Sequence, residues 1–159
     1  MSQQVNISAS PIRPQESRLF LRDEELERGV GLILAAERRL CTAARKARET
    51  AGLNPSAFQT LMAIRAEPGL SVKALREQLG ATVPTLARIL GDLDKRNLVE
   101  RPRALSDGRK RQLVLTPEGA ALTEPAAEAM RDALRDAYKQ AGAEQVAGAV
   151  IFLEALKDG

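Results

Sequence analysis

The 159-residue sequence predicts a mainly α-helical chain interrupted once by a short, basic β-hairpin. Three observations predict it. Hydrophobic residues make up 44% of the chain and aromatic residues only 3%. The core is therefore built from Ala, Leu, Val and Ile, of which Ala and Leu are among the strongest helix formers. Helix start and stop signals recur along the chain, and only near residues 98–115 does the apolar pattern shorten to that of strands.

Taken in order, residues 1 to about 18 hold Pro11, Pro14 and small polar residues without a period. They read as an arm that is disordered alone or packs on a partner. Asp23 opens a long helix to about Ala51, with Leu26, Val30, Ile33, Leu34 and Leu40 as an apolar stripe and Gly52 as its stop. Asn54-Pro55 caps the next helix, which carries Phe58, Leu61, Met62 and Ile64 until Pro68-Gly69 breaks it. Ser71 caps a short helix ending at Gly80, with Leu75 and Leu79 inward. Thr82 caps another, running to about Asn97, with Leu86, Ile89, Leu90 and Leu93 on one arc.

Leu98 to Arg103 is extended, Ser106-Asp107-Gly108 is a turn signal, and Gln112 to Leu115 is β-prone, which together read as a hairpin. Thr116-Pro117 caps a long Ala-rich helix to about Gln140, with Pro125 either bending it or marking a late start. After Gly142 a last helix, about Glu144 to Lys157, carries Val146, Val150, Ile151, Leu153 and Leu156.

Composition narrows the function. With no His and one Cys, and no Gly-rich phosphate loop, neither a zinc site nor a nucleophile triad can be assembled. No catalytic residue, metal or cofactor is expected. One Cys makes no internal disulfide, Met1 to Ser10 lacks an apolar leader, and no apolar run is long enough to cross a membrane. These features point to the cytoplasm. The net charge is only +3, but Ser71 to Thr116 carries ten Lys/Arg against five Asp/Glu, a local +5 that leaves −2 for the rest. A basic centre between near-neutral flanks suits a polyanion-binding module.

Helix, tight turn, helix and basic hairpin follow the order of a winged helix-turn-helix. The major groove of duplex DNA admits one helix, whose first residues reach base edges. Opposite its Leu stripe the Thr82 helix offers Thr82, Pro84, Thr85 and Arg88: the hydroxyls can meet bases or phosphates, and Arg88 can fork onto guanine or phosphate. The hairpin tip holds Arg109, Lys110 and Arg111, suited to a narrow minor groove, with Asp107 positioning a neighbouring Arg. Ser71 and Arg103 complete the expected contact set. Lys73, Arg76 and Arg101 read equally as phosphate ligands or solvated cations. Cys41 reads as a packed thiol. The competing reading is a winged helix that binds protein and has no specific DNA site.

The sequence also resembles the MarR-type regulators from about Asp23 to Leu156. The resemblance is carried by Leu75-Arg-Glu-Gln-Leu-Gly80, Thr82-x-x-Thr85-Leu-Ala-Arg88 and Leu93-Asp-Lys-Arg-Asn97-Leu-Val99-Glu-Arg101, then by Asp107-Gly-Arg109 and Leu113-Val-Leu-Thr116-Pro-Glu-Gly119. It implies a homodimer whose first and last helices interleave, with Thr82, Thr85 and Arg88 in the major groove and Arg109 in the minor groove. On that basis residues 19–52 and 117–159 form the dimerisation region and 53–116 the DNA-binding region. The resemblance also implies a repressor acting on a pseudo-palindromic duplex and answering to a small-molecule effector, whose identity and site the sequence does not reveal. Asn97 stands where the family usually has Gly, and Asn tolerates the left-handed conformation such a turn requires. Val83 and Pro84 replace frequently polar positions, which affects the target sequence and not the fold.

Overall fold

Asn54, Ser71, Thr82 and Thr116 each begin a helix for the same reason. A short side-chain oxygen held in extended backbone accepts the N–H three residues on, which the new helix would otherwise leave unpartnered. The acceptances are Ala57 N–H at 2.8 Å, Ala74 N–H at 3.1 Å, Thr85 N–H at 3.3 Å and Gly119 N–H at 3.0 Å. Pro55, Pro84 and Pro117 lie in the first turns, where their missing N–H costs nothing.

The structure is a computed structural model that describes residues 21–101 and 112–158. The helices are α1 (Asp23–Thr50), α2 (Pro55–Ala66), α3 (Val72–Leu79), α4 (Val83–Lys95), α5 (Pro117–Ala141) and α6 (Ala143–Asp158). The strands are β1 (Leu70–Ser71), β2 (Val99–Glu100) and β3 (Gln112–Leu115). Every predicted helix is present, with ends within two or three residues of those expected. α5 starts at Pro117 and runs through Pro125, so Pro125 does not mark a late start. Of the expected extended stretch Leu98 to Arg103, β2 takes Val99–Glu100. The hairpin tip, with Arg103, Asp107, Arg109, Lys110 and Arg111, lies outside the described residues.

The sheet has three strands in the order β1-β3-β2, all antiparallel. Leu70 pairs with Leu113 and Ser71 with Gln112 on one edge of β3; Val99 pairs with Leu115 and Glu100 with Val114 on the other. β1 is absent from the sequence reading because two residues carry no period. Only pairing across 40 residues of intervening chain reveals it.

The chain divides into two units, Met1–Arg38 and Arg39–Gly159. The second holds the core. α2 is its hub, with Ala57, Phe58, Thr60, Leu61, Ala63 and Ile64 buried. Around it pack Leu75 of α3, the four residues Leu86, Ile89, Leu90 and Leu93 of α4, Leu98 just ahead of β2, and Leu70, Val99 and Leu113 of the sheet. At about 1.5–3 kcal/mol for each large apolar side chain removed from water, the α4 stripe contributes roughly 6–12 kcal/mol before chain entropy is counted. The other face of α4 is left to solvent.

The apolar stripes of the outer helices fare differently. α1 buries only Ala44. In its first half Leu26, Val30 and Leu34 are exposed. Among its described residues α6 buries none, and Ile151, Phe152, Leu153 and Leu156 are each more than half exposed, Ile151 by 68%. The apolar side chains of α6 and of the first half of α1 are therefore not part of this chain's own core. Among the described residues no helix is long and apolar enough to cross a membrane.

Candidate nucleic-acid interface

α4 is placed by its neighbours at both ends. Before it, Gly80 ends α3 in the left-handed conformation at φ 58°, where a side chain would be strained. Its N–H returns to the Arg76 and Glu77 carbonyls, and Thr82 follows at once as the next cap. This is the tight turn between two helices. After α4, Asn97 is also left-handed, at φ 55°, the sole non-Gly residue with positive φ among those described. The expectation that Asn would serve there in place of Gly is met.

The face of α4 opposite its core stripe carries Thr82, Val83, Pro84, Thr85 and Arg88, all exposed. Four of these five were expected contact residues, and the structure brings them onto one convex surface at the helix start. The two hydroxyls are coupled. Thr82 Oγ1 donates to Thr85 Oγ1 at 2.8 Å while accepting the Thr85 N–H. Thr85 Oγ1 therefore keeps its own proton to give outward, so Thr85 is the hydroxyl donor of the pair and Thr82 the organiser. Ser71 is half-buried and engaged as the cap of α3. It lies at the other end of the helix-turn-helix from the Thr82–Arg88 surface.

Arg88 extends from this surface with its side chain 67% exposed and its Nη1 3.7 Å from Asp92 Oδ2. Lys95 reaches the other oxygen of Asp92 at 3.9 Å. Such exposed pairs are worth under about 1 kcal/mol, so Arg88 can leave Asp92 for a base edge or a phosphate at little cost. Asp92 is not among the residues that the sequence singles out. Its role as the resting partner of Arg88 follows from the i,i+4 spacing. Between α3 and α4 runs a cleft of about 450 Å³ lined by Val72, Lys73, Arg76, Val83, Leu86 and Arg101 among others. It sets three cations along the same side of the helix-turn-helix.

Sequence reasoning missed two arginines. Arg65, in the last turn of α2, donates to the Ala120 carbonyl and to Thr123 Oγ1, each at 3.0 Å, and pairs with Glu124. It ties the hub helix to α5. Arg96 reaches back to the end of α1, with Nη1 3.4 Å from the Gly52 carbonyl and Nη2 3.3 Å from that of Ala51. Neither is visible from spacing, because the partners lie 44 to 59 residues away. Along α5 a ladder of Glu124, Glu128, Arg131, Asp132 and Arg135 is paired by charge. The hydrogen bond from Arg131 holds the Glu128 carboxyl below its ordinary value. No group of three or more His, Cys, Asp or Glu residues that could hold a metal occurs among the described residues. Cys41 is half-buried.

Comparison with known proteins decides the family. A MarR-family profile matches residues 51–110. The transcriptional regulator PetP of Rhodobacter capsulatus is 36% identical over 143 residues, covering 90% of this chain and 86% of PetP. The chain belongs to the MarR family. It is thus a helix-turn-helix transcriptional regulator of the DNA-binding kind and not an enzyme. NadR in complex with 4-hydroxyphenylacetate superposes with a TM-score of 0.68 at 27% identity, over 80% of this chain and 90% of NadR. A MepR mutant from S. aureus bound to an oligodeoxyribonucleotide shares the fold at 20% identity, with a TM-score of 0.52 over 80% and 94% of the two chains. The MarR architecture explains why α4 shows a buried Leu face and a solvated Thr/Arg face in one short helix.

Proposed function

We propose that this MarR-family regulator acts as a homodimer that reads a pseudo-palindromic duplex, the α4 of each protomer entering one major groove. The observation that carries the reading is the exposed Thr82–Pro84–Thr85–Arg88 surface at the capped start of α4, held on a fully buried Leu stripe. A rigid helix with hydroxyl and guanidinium groups at its N-terminus is what direct readout requires. Ser71 and the basic hairpin residues Arg103, Arg109, Lys110 and Arg111, with Asp107 orienting them, would add phosphate and minor-groove contacts. Residues 53–116 are the DNA-binding region in this reading, and 19–52 with 117–159 the dimerisation region.

The second copy is argued from surface chemistry. The exposed apolar residues of α6, and separately those of the first half of α1, would cost solubility in a monomer. Self-complementary helical faces are the usual means of closing a two-fold dimer. Repression is the mode the family resemblance favours. A small aromatic acid as effector is supported by the ligand of NadR, and by a cleft of about 360 Å³ where α1, α2 and α5 meet. Its lining of Leu40, Met62, Met130 and Leu134 offers an apolar floor, with Arg65 and Arg131 beside it, where the carboxylate of a ligand would exchange with that of Glu124.

The test is binding of the purified protein to the intergenic DNA upstream of its own gene, against a scrambled duplex, at 50 and 200 mM salt. Preference for the native fragment, with affinity falling by about three to five decades across that range, is expected for about 6–10 phosphate contacts. Binding to neither duplex at low salt would replace DNA reading with a protein-interaction role.

A further inference from the structure

We propose that Arg96 is a positioning residue that holds the recognition helix α4 to the end of α1 and so sets how sharply the protein discriminates the spacing of its half-sites. The inference rests on the homodimer reading above. α4 gives way at Arg96, whose guanidinium spans the Ala51 and Gly52 carbonyls at 3.3 and 3.4 Å. These groups close the C-terminal end of α1, where carbonyls lack helical partners and the helix dipole favours a cation.

The next two residues are held by the other long helix. Thr116 Oγ1 donates to the Asn97 carbonyl at 2.7 Å, and the Thr116 N–H to the Leu98 carbonyl at 3.2 Å. Gly119 lies so close that a Cβ there would overlap the Leu98 carbonyl. Three consecutive residues leaving the recognition helix therefore bind the end of α1 and the start of α5. The two ties differ in stiffness. The α5 tie is two bonds from Thr116 and a backbone approach at Gly119 with no spare room, while the α1 tie is one long side chain at stretched hydrogen-bond distance. A pivot of α4 about Leu98 would keep the first and make or break the second.

Two carboxylates on the helices it joins are already engaged: Asp92 of α4 is shared by Arg88 and Lys95, and Glu49 of α1 pairs with Arg48. In a two-fold dimer the separation of the recognition helices follows from the angle each makes with its dimerisation helices. Half-sites sit about 34–36 Å apart, and each added base pair displaces and rotates one of them. With α4 tied at both long helices, a wrong spacing strains the protein; with Arg96 released, α4 can follow the DNA.

The experiment takes the duplex that the protein protects in its own upstream DNA and resynthesises it with one central base pair added or removed, beside a duplex holding a single half-site. Wild type, Arg96→Ala and Arg96→Lys are compared on all four, with dimerisation and thermal melting measured on the same samples. Arg96→Ala is expected to stay dimeric and to keep half-site affinity within about twofold. On the native spacing it should lose about three- to tenfold, the effect of one charge-assisted contact near the surface, and it should lose less on the altered spacings. Arg96→Lys, which keeps the charge, should fall between. Equal losses on every duplex, half-site included, would make Arg96 a phosphate ligand or a mere stabiliser and overturn the proposal, as would no loss at all. A wild-type protein that shows preference for its own DNA but none for spacing would also overturn it. Absence of any sequence preference would instead count against the underlying operator reading.

Discussion

Replacing Gly119 by Ala should destabilise the fold out of proportion to one methyl group. Gly119 is the third residue of α5, and a Cβ built on it would overlap the Leu98 carbonyl oxygen and lie 2.9 Å from the carbonyl carbon and 3.2 Å from Cα. All three atoms are backbone, so no rotamer change relieves them. To restore contact distance, α5 must move off Leu98 by about an ångström, which stretches the Thr116 bonds to Asn97 and Leu98, at 2.7 and 3.2 Å. Overpacking costs about 1–3 kcal/mol and each weakened hydrogen bond about 1 kcal/mol, against about 1 kcal/mol regained from the better helix propensity of Ala. The net loss is about 2–4 kcal/mol, or roughly 5–15 °C in Tm for a chain of this size. Gly91→Ala is the internal control: it lies inside α4 with nothing within 4 Å of a built Cβ, so Ala there should be neutral to stabilising by up to about 1 kcal/mol. Urea melts followed by helical circular dichroism, at one protein concentration, measure both. A Gly119→Ala variant as stable as wild type would refute the close approach of α5 to Leu98.

Asn97→Gly should raise stability by a few tenths to about 1 kcal/mol because it removes the cost of a side chain at φ 55°, whereas Asn97→Val should lower it by more than that; paired thermal melts decide the sign of each. Ile151→Asp places a charge on the α6 face where Ile151 is 68% exposed, so it should leave the helical content intact and shift sedimentation from dimer to monomer; an unchanged dimer would exclude this face from the interface. Glu128 has its carboxyl lowered from an ordinary value of 4.5, first by the Arg131 hydrogen bond. Its contribution is therefore present above that value and disappears as pH falls through the lowered one. The stability gap between wild type and Glu128→Gln should accordingly close in acid, and a gap that widened below pH 4.5 would reverse the assignment.

Most of the helical framework was legible because its signals are local. Asn54, Ser71, Thr82 and Thr116 announce their helices within three residues, Gly80 and Asn97 announce the turns, and the Leu86-Ile89-Leu90-Leu93 arc identifies the buried face of α4 and hence, by exclusion, the readable one. The α4 contact candidates followed directly, since side-chain direction on a helix is set by spacing alone. Other features needed the tertiary structure. β1 is two residues long and exists only as a partner of β3. The pair of Arg88 with Asp92 is allowed by its i,i+4 spacing, but that pair and the coupling that leaves Thr85 as the outward donor are settled only by which rotamers meet.

The sequence by itself determined where helices begin, which face of α4 is apolar, and the absence of His and paired Cys that rules out the usual catalytic constellations. Only the tertiary structure decided what the apolar side chains meet. The α4 stripe is buried within this chain, while the apolar side chains of α6 are left at the surface, though both helices are rich in Leu, Ile and Val. It also decided how α4 is held, through Arg96 to the Ala51 and Gly52 carbonyls and through Thr116 and Gly119 to Asn97 and Leu98. The physical reason is one of range. Capping and periodicity act over three or four residues and are written in order along the chain, whereas a guanidinium on a carbonyl 44 residues away is specified only once the core has folded.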